Sequence, residues 1–190
     1  MSATPNDMMT AKLFLNAVFP VMQVLLDDDP KIKASFQDIA ATVQFGAMDG
    51  ESLLACHLIF DRGQLTVVQG AAEKPDLCLT FPSVAKMNAL LCGGLALPSI
   101  KGARHIGLLI HFLSLLMGLM LMSPKQRPKD AARQRLKVKM SLYMITRALS
   151  QYNKLGNPEM NEFCLRQPDR IYQFTVEDGG DPASIACYLR

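Results

Sequence analysis

TVQFGAMDGESLLACHLIFDRGQLTVVQG, residues 42–70, is the stretch whose reading decides the fold. Runs rich in β-branched and apolar residues, TVQFGAM (42–48) and SLLACHLIF (52–60), flank Asp49-Gly50, a hairpin signal because glycine supplies the positive φ that a tight turn needs. DRG (61–63) marks a second turn, and QLTVVQG (64–70) follows as a third strand. Leu77 to Phe81 is short and apolar enough for a fourth. Upstream, residues 9–28 have a helical apolar period interrupted by Pro20, which should kink it. Asp29-Pro30 then reads as an N-cap and first helical proline, opening a short helix to Phe36.

Downstream, Pro82-Ser83 opens a helix carrying Val84, Met87, Leu90 and Leu91 on one side, and Gly93-Gly94 ends it. Leu95–Gly102 is expected as the last strand. After it comes IGLLIHFLSLLMGLMLM (106–122), whose only polar side chains are His111 and Ser114. At about 1.5 Å rise per residue this helix spans roughly 25 Å, short of the roughly 30 Å hydrocarbon core of a bilayer. In water its large apolar side chains would each forgo about 1.5–3 kcal/mol of burial, so something must cover it. SPKQRPK (123–129) leads to a long helix, Asp130 to Tyr152, with a core-facing stripe of Leu136, Met140, Tyr143, Met144 and Ala148. The expected fold is α+β: an antiparallel-rich sheet of about five strands covered by helices, plus C-terminal helices and an extra hairpin.

The end of the chain echoes its beginning. NPEMNEFC (157–164) resembles DPKIKASF (29–36), YQFTVEDG (172–179) resembles VQFGAMDG (43–50), and ASIACYL (183–189) resembles SLLACHL (52–58). This divides the chain into residues 1–128, a first unit, and 129–190, a helical extension with a partial second copy. A two-stranded hairpin is marginal alone, so it should join the first sheet, pair with another subunit or belong to a longer protein.

Composition is that of a globular chain: 49% hydrophobic and 19% charged residues disfavour disorder. Residues 1–10 lack a basic segment and the apolar stretch after Lys12 lacks a small-residue cleavage site, so no signal peptide is read. Five cysteines without metal-ligand spacing read as reduced thiols in a cytoplasmic protein. Lys125, Arg127, Lys129, Arg133, Arg135, Lys137 and Lys139 face only Asp130 in their window; the plain reading is a solvated helix start. The basic residues lack interleaved aromatics and a recognition motif, which argues against nucleic acid.

The pattern of elements resembles the sterol carrier protein type-two family. The residues carrying it are Gly63, LTVVQGAAEKPDLCLTF (65–81) and MNALLCGGLALPSIKG (87–102), with Gly70-x-Ala72, Pro75-Asp76, Leu90-Leu91-x-Gly93 and Ile100-x-Gly102 as its pieces. The resemblance covers residues 10–122. It implies a tunnel for fatty acyl chains, sterols or isoprenoid-like molecules, with the closing helix as part of its wall. Transferred to this chain, Leu109, Phe112, Leu113, Leu116, Met117 and Met120 become candidate liners, and His111 and Ser114 candidate polar contacts. The segment between Gly94 and Gly102 is shorter than the family's usual one.

The plain alternative for the apolar helix is core packing, and for His111 a satisfied core histidine. His57, His105 and His111 have no carboxylate, histidine or cysteine at a metal-ligand spacing on the same element, Asp27-Asp28-Asp29 is explained by capping and solvation, and EDGGD (177–181) lacks the pattern of a calcium loop. Phosphate-binding, hydrolase and zinc-protease signatures are absent. The expectation is therefore non-catalytic binding of a hydrophobic small molecule, without cofactor or metal. The alternative is a ligand-free interaction or dimerisation module of a larger protein or complex. A homodimer and transient contact with an anionic membrane surface stand as further partner readings.

Overall fold

The alternation in residues 40–69 produces three antiparallel strands in the computed structural model, which describes residues 2–102, 105–178 and 181–189. β1 (Ala40–Asp49) pairs with β2 (Ser52–Asp61), and β2 with β3 (Gln64–Gln69). Asp49 lies opposite Ser52, so the first turn is Gly50-Glu51 rather than Asp49-Gly50. Gly50 takes φ 62°, the first central position of a type II′ turn, while the Asp49 carboxylate accepts the Ala3 N–H at 2.7 Å. In the second turn both Arg62 (φ 46°) and Gly63 (φ 85°) are positive, the type I′ pattern that suits strand twist.

β4 (Leu77–Phe81) runs parallel to β1 on its other side, and β5 (Ser99–Lys101) closes an order β3-β2-β1-β4-β5. The sheet is thus mixed, with three of its four pairings antiparallel. The expected strand over Leu95–Gly102 shrinks to three residues: Pro98 has no N–H to give a ladder, and Leu95 and Leu97 stand in solvent. Residues 70–76 cross the side of the sheet away from Phe45. There the Gly70 N–H donates to the Ala55 carbonyl at 2.8 Å and the Ala72 N–H to Gln44 Oε1 at 3.0 Å. The crossover explains why Gln44, on that face, is buried.

The other face carries the helices. α1 (Pro5–Leu13) runs without a break through a π turn (Phe14–Val18) and a 3-10 turn (Phe19–Val21) into α2 (Met22–Asp28). Pro20 lacks an N–H and its ring crowds the carbonyl of residue 16, and the widened turn absorbs that conflict. This Pro5–Asp28 stretch is long and apolar enough to cross a bilayer, yet half of its most apolar 18 residues are buried in the fold, as in a core helix. Gln23 ties it to the sheet, accepting the Leu65 N–H at 2.7 Å and donating to the Gly63 carbonyl at 3.2 Å. Asp29 caps α3 (Pro30–Phe36), its carboxylate accepting the Lys31 and Ile32 N–H groups.

After β4 come α4 (Val84–Leu91), capped by Ser83, and α5 (Ile106–Leu119), which ends in a 3-10 turn (Met120–Met122). Gly118 lets α5 lie close on α2: a Cβ there would sit 2.7 Å from Leu25 Cδ1. α6 (Ala131–Lys154), capped by Asp130, packs outside α2 and the π turn, burying Leu136, Met140 and Thr146. Lys139 pairs with Asp28 at 2.6 Å, and Lys137 donates to the carbonyls of Ser123 and Gln126. α7 (Pro158–Arg166) leads to β6 (Tyr172–Asp178) and β7 (Asp181–Leu189). These two strands form their own antiparallel sheet against α6 and do not extend the five-stranded one. Gly179 and Gly180 of the EDGGD segment lie outside the described residues.

Candidate functional site

Helical periodicity gives α5 two apolar sides with different neighbours. Phe112, Leu115 and Leu119 turn inward and are buried. The Phe112 ring lies 6.2 Å from Phe45, which also meets Phe19 at 5.0 Å and Phe81 at 5.4 Å. Such edge-on and tilted pairs suit the ring quadrupoles and fill volume efficiently. The sheet-facing side of α5, where a tunnel was expected, is therefore occupied by aromatic rings around Phe45.

Open volume lies beside α5 instead. A groove of about 490 Å³ runs between the π turn (Phe14, Val18), the end of α4 (Leu90, Leu91, Cys92) and the C-terminal half of α5, with Met144 of α6 closing one side. From α5 and its 3-10 turn come Leu113, Leu116, Met117, Leu119, Met120 and Met122. The volume falls within the roughly 300–1,000 Å³ of small-molecule pockets. Gly93, at φ 88°, shapes the corner: a Cβ there would come within 3.2 Å of Met120 Cε.

Of the candidate liners, Leu113, Leu116, Met117 and Met120 meet in this groove. Phe112 belongs to the aromatic core, and Leu109 is half-buried against it. Ser114 is exposed. His111 faces a separate cavity of about 370 Å³ with Asp38, Asp76 and His105, its ring 5.9 Å from Phe36. Phe14, Val18 and Met144 escaped sequence reasoning. Two of them sit on the π turn, whose wider register no apolar period announces, and Met144 reads as ordinary core stripe.

The residues carrying the family resemblance mostly hold the sheet together. The Asp76 carboxylate accepts the Thr42 N–H at 2.8 Å while the Asp76 N–H donates to the Thr42 carbonyl, locking β1 to β4 at their start. Gly102, at φ 86°, lies so close to the Asp76 carbonyl that a Cβ would be 2.1 Å from it. Leu90-Leu91-x-Gly93 is the exception, since it builds the groove.

Cys92, which is exposed, is the cysteine that lines the groove. Cys56 is fully buried on β2, and burial pushes its thiol up to about 12; burial also raises Cys78. All five cysteines are free thiols. Among the described residues, His, Cys, Asp and Glu form no group of three able to hold a metal ion. The His57 ring instead meets the Gly70 carbonyl at 3.1 Å.

Among solved structures, the fold is similar to the sterol carrier protein domain 2 of Helicoverpa armigera, at a TM-score of 0.41 and 19% identity, covering 63% of this chain and 94% of that one. It is also similar to a conserved hypothetical protein of Thermus thermophilus, at a TM-score of 0.40 and 14% identity, covering 65% and 85%. These likenesses are of fold. No family model and no curated protein matches the chain.

Proposed function

We propose that the protein binds, without catalysis, a hydrophobic small molecule of the fatty acyl, sterol-like or isoprenoid class in the groove beside α5. The observation that carries this reading is the groove itself, an apolar space of about 490 Å³ walled by the π turn, α4, α5 and α6, with four methionines in its lining. Methionine is unbranched and adaptable, which suits guests of varied shape. Eight methylenes buried there would contribute about 6 kcal/mol gross, before the cost of association. Ser123 and Cys92 supply polar atoms beside a headgroup. The site lies on the outer flank of α5, displaced from a tunnel between sheet and helix.

Native mass spectrometry of freshly purified protein, followed by organic extraction, tests this. A stoichiometric lipid or isoprenoid adduct that Leu113→Arg removes while the circular dichroism stays native is the expected result. A clean apo mass, unchanged after incubation with fatty acids and quinones, would overturn it and leave a ligand-free interaction module.

A further inference from the structure

An outward stripe of α5 is apolar along the helix, with the exposed Ser114 at its edge. Ile106, Ile110, Leu113 and Met117 fall at i, i+4, i+7 and i+11, one face of a helix, and are 63%, 59%, 43% and 71% exposed. Leu95 and Leu97, in the segment leading to β5, are 101% and 89% exposed. Large apolar side chains exposed along one helix face mark a contact surface.

Along the sequence, the charges on either side of this helix have one sign. From Leu77 to Lys129 the sequence contains no aspartate or glutamate and six cations, Lys86, Lys101, Arg104, Lys125, Arg127 and Lys129. Since the whole chain carries +3, everything outside that stretch is net negative. Lys101 is exposed just before α5, and Lys125, Arg127 and Lys129 are exposed just beyond its 3-10 turn, so cations stand at both ends of the stripe. The carboxylates at the helix's His111 flank are Asp38 and Asp76, the latter bonded to the Thr42 N–H. A second copy fits this face poorly, because a two-fold contact would set these cations against each other.

We propose that α5 docks lengthwise on an anionic phospholipid surface, with Ile106, Ile110, Leu113 and Met117 in the headgroup–acyl boundary and the flanking lysines and arginines on lipid phosphates. α5 is apolar on its core side as well, so the rest of the fold takes the place of a polar face, and the flanking cations supply the anchoring that interfacial helices use. Leu113 and Met117 also line the groove, so docking sets its mouth against the acyl layer. The proposal stands whether or not the groove holds a ligand, because Ile106 and Ile110 lie outside its lining.

Co-sedimentation of the full chain tests this, using vesicles of phosphatidylcholine alone and of phosphatidylcholine with phosphatidylglycerol. Binding is expected only to the anionic vesicles and is expected to weaken at high salt. Ile106→Glu/Ile110→Glu should lower the partition coefficient by about tenfold or more, with circular dichroism and any groove adduct unchanged. Lys125→Glu/Arg127→Glu should weaken binding and flatten its salt dependence. Absence of binding to anionic vesicles at low salt would overturn the proposal. So would equal binding by the Ile106→Glu/Ile110→Glu variant, or a dimer in solution that this variant dissolves.

Discussion

Phe112 and Leu113 are adjacent in sequence but stand in different surroundings, and truncating each to alanine separates core from wall. Phe112 is fully buried with its ring 6.2 Å from Phe45, which in turn meets Phe19 and Phe81. Removing a ring so enclosed costs about 3–5 kcal/mol, the lost transfer energy plus the cavity left behind. Leu113 is 43% exposed, so Leu113→Ala forfeits only part of the roughly 1.5–3 kcal/mol of a buried leucine, about 1 kcal/mol. For a chain of this length each kcal/mol moves the melting temperature by about 2–4 °C. Phe112→Ala should therefore melt about 6–20 °C lower and Leu113→Ala no more than about 4 °C lower. Urea unfolding followed by circular dichroism measures both. Losses equal within about 1 kcal/mol would show that the two residues share one environment, refuting the division of α5 into a packed and an open side.

Three other substitutions probe the five-stranded sheet and its crossover. Gly46 faces β2 so closely that a Cβ would lie 2.4 Å from the Leu54 carbonyl oxygen and 2.6 Å from Ala55 Cβ. Gly46→Ala should thus cost about 3 kcal/mol, partly recovered by Ala55→Gly, and a change below about 0.5 kcal/mol in thermal unfolding would contradict that packing. Asp76→Ala leaves the Thr42 N–H without its carboxylate and should cost about 1–3 kcal/mol, read by denaturant titration, with faster hydrogen exchange at Thr42. For Cys56, the folded thiol keeps its proton to about pH 12 whereas the unfolded one releases it near 9.0. Between those values the unfolded state binds fewer protons, so stability falls as pH rises, by on the order of 4 kcal/mol at the upper end. Unfolding of wild type and Cys56→Ala between pH 8 and 11 should diverge; parallel curves would mean the thiol ionises normally in the fold.

Local signals in the sequence carry most of the sheet. The Asp61-Arg62-Gly63 turn, the strand Leu77–Phe81, and the caps at Asp29, Ser83 and Asp130 lie where turn chemistry and capping put them. The first hairpin turn slips by one residue because glycine, not aspartate, takes the positive φ, and Asp49 serves the N-terminal strap. The last strand is shorter than its apolar run because leucines at positions 95 and 97 do not outweigh a proline at 98. The groove was half legible. Its α5 side follows from an apolar period, but the opposite wall depends on a π turn and on where α6 lies, and both are tertiary outcomes. For the same reason periodicity alone could not assign Phe112 to the rings around Phe45 and Leu113 to an opening.

The π turn at Phe14–Val18 has a consequence for how this chain tolerates change in length. A π turn holds one residue more than the α turn it replaces, so every side chain before it is rotated by about 100° from where an unbroken α-helix would set it. Losing one residue from this short segment would restore regular winding and swing Asp7 and the buried Ala11 out of phase with the rest of the fold. The Asp7 carbonyl would leave the Asn88 amide that now donates to it at 2.9 Å, and Phe14 would leave the groove. At a solvent-facing helix end such a rotation would disturb nothing packed; here the rotated residues are packed, so the spare residue is a phase-setting device, and the shape of the cavity is tied to its count.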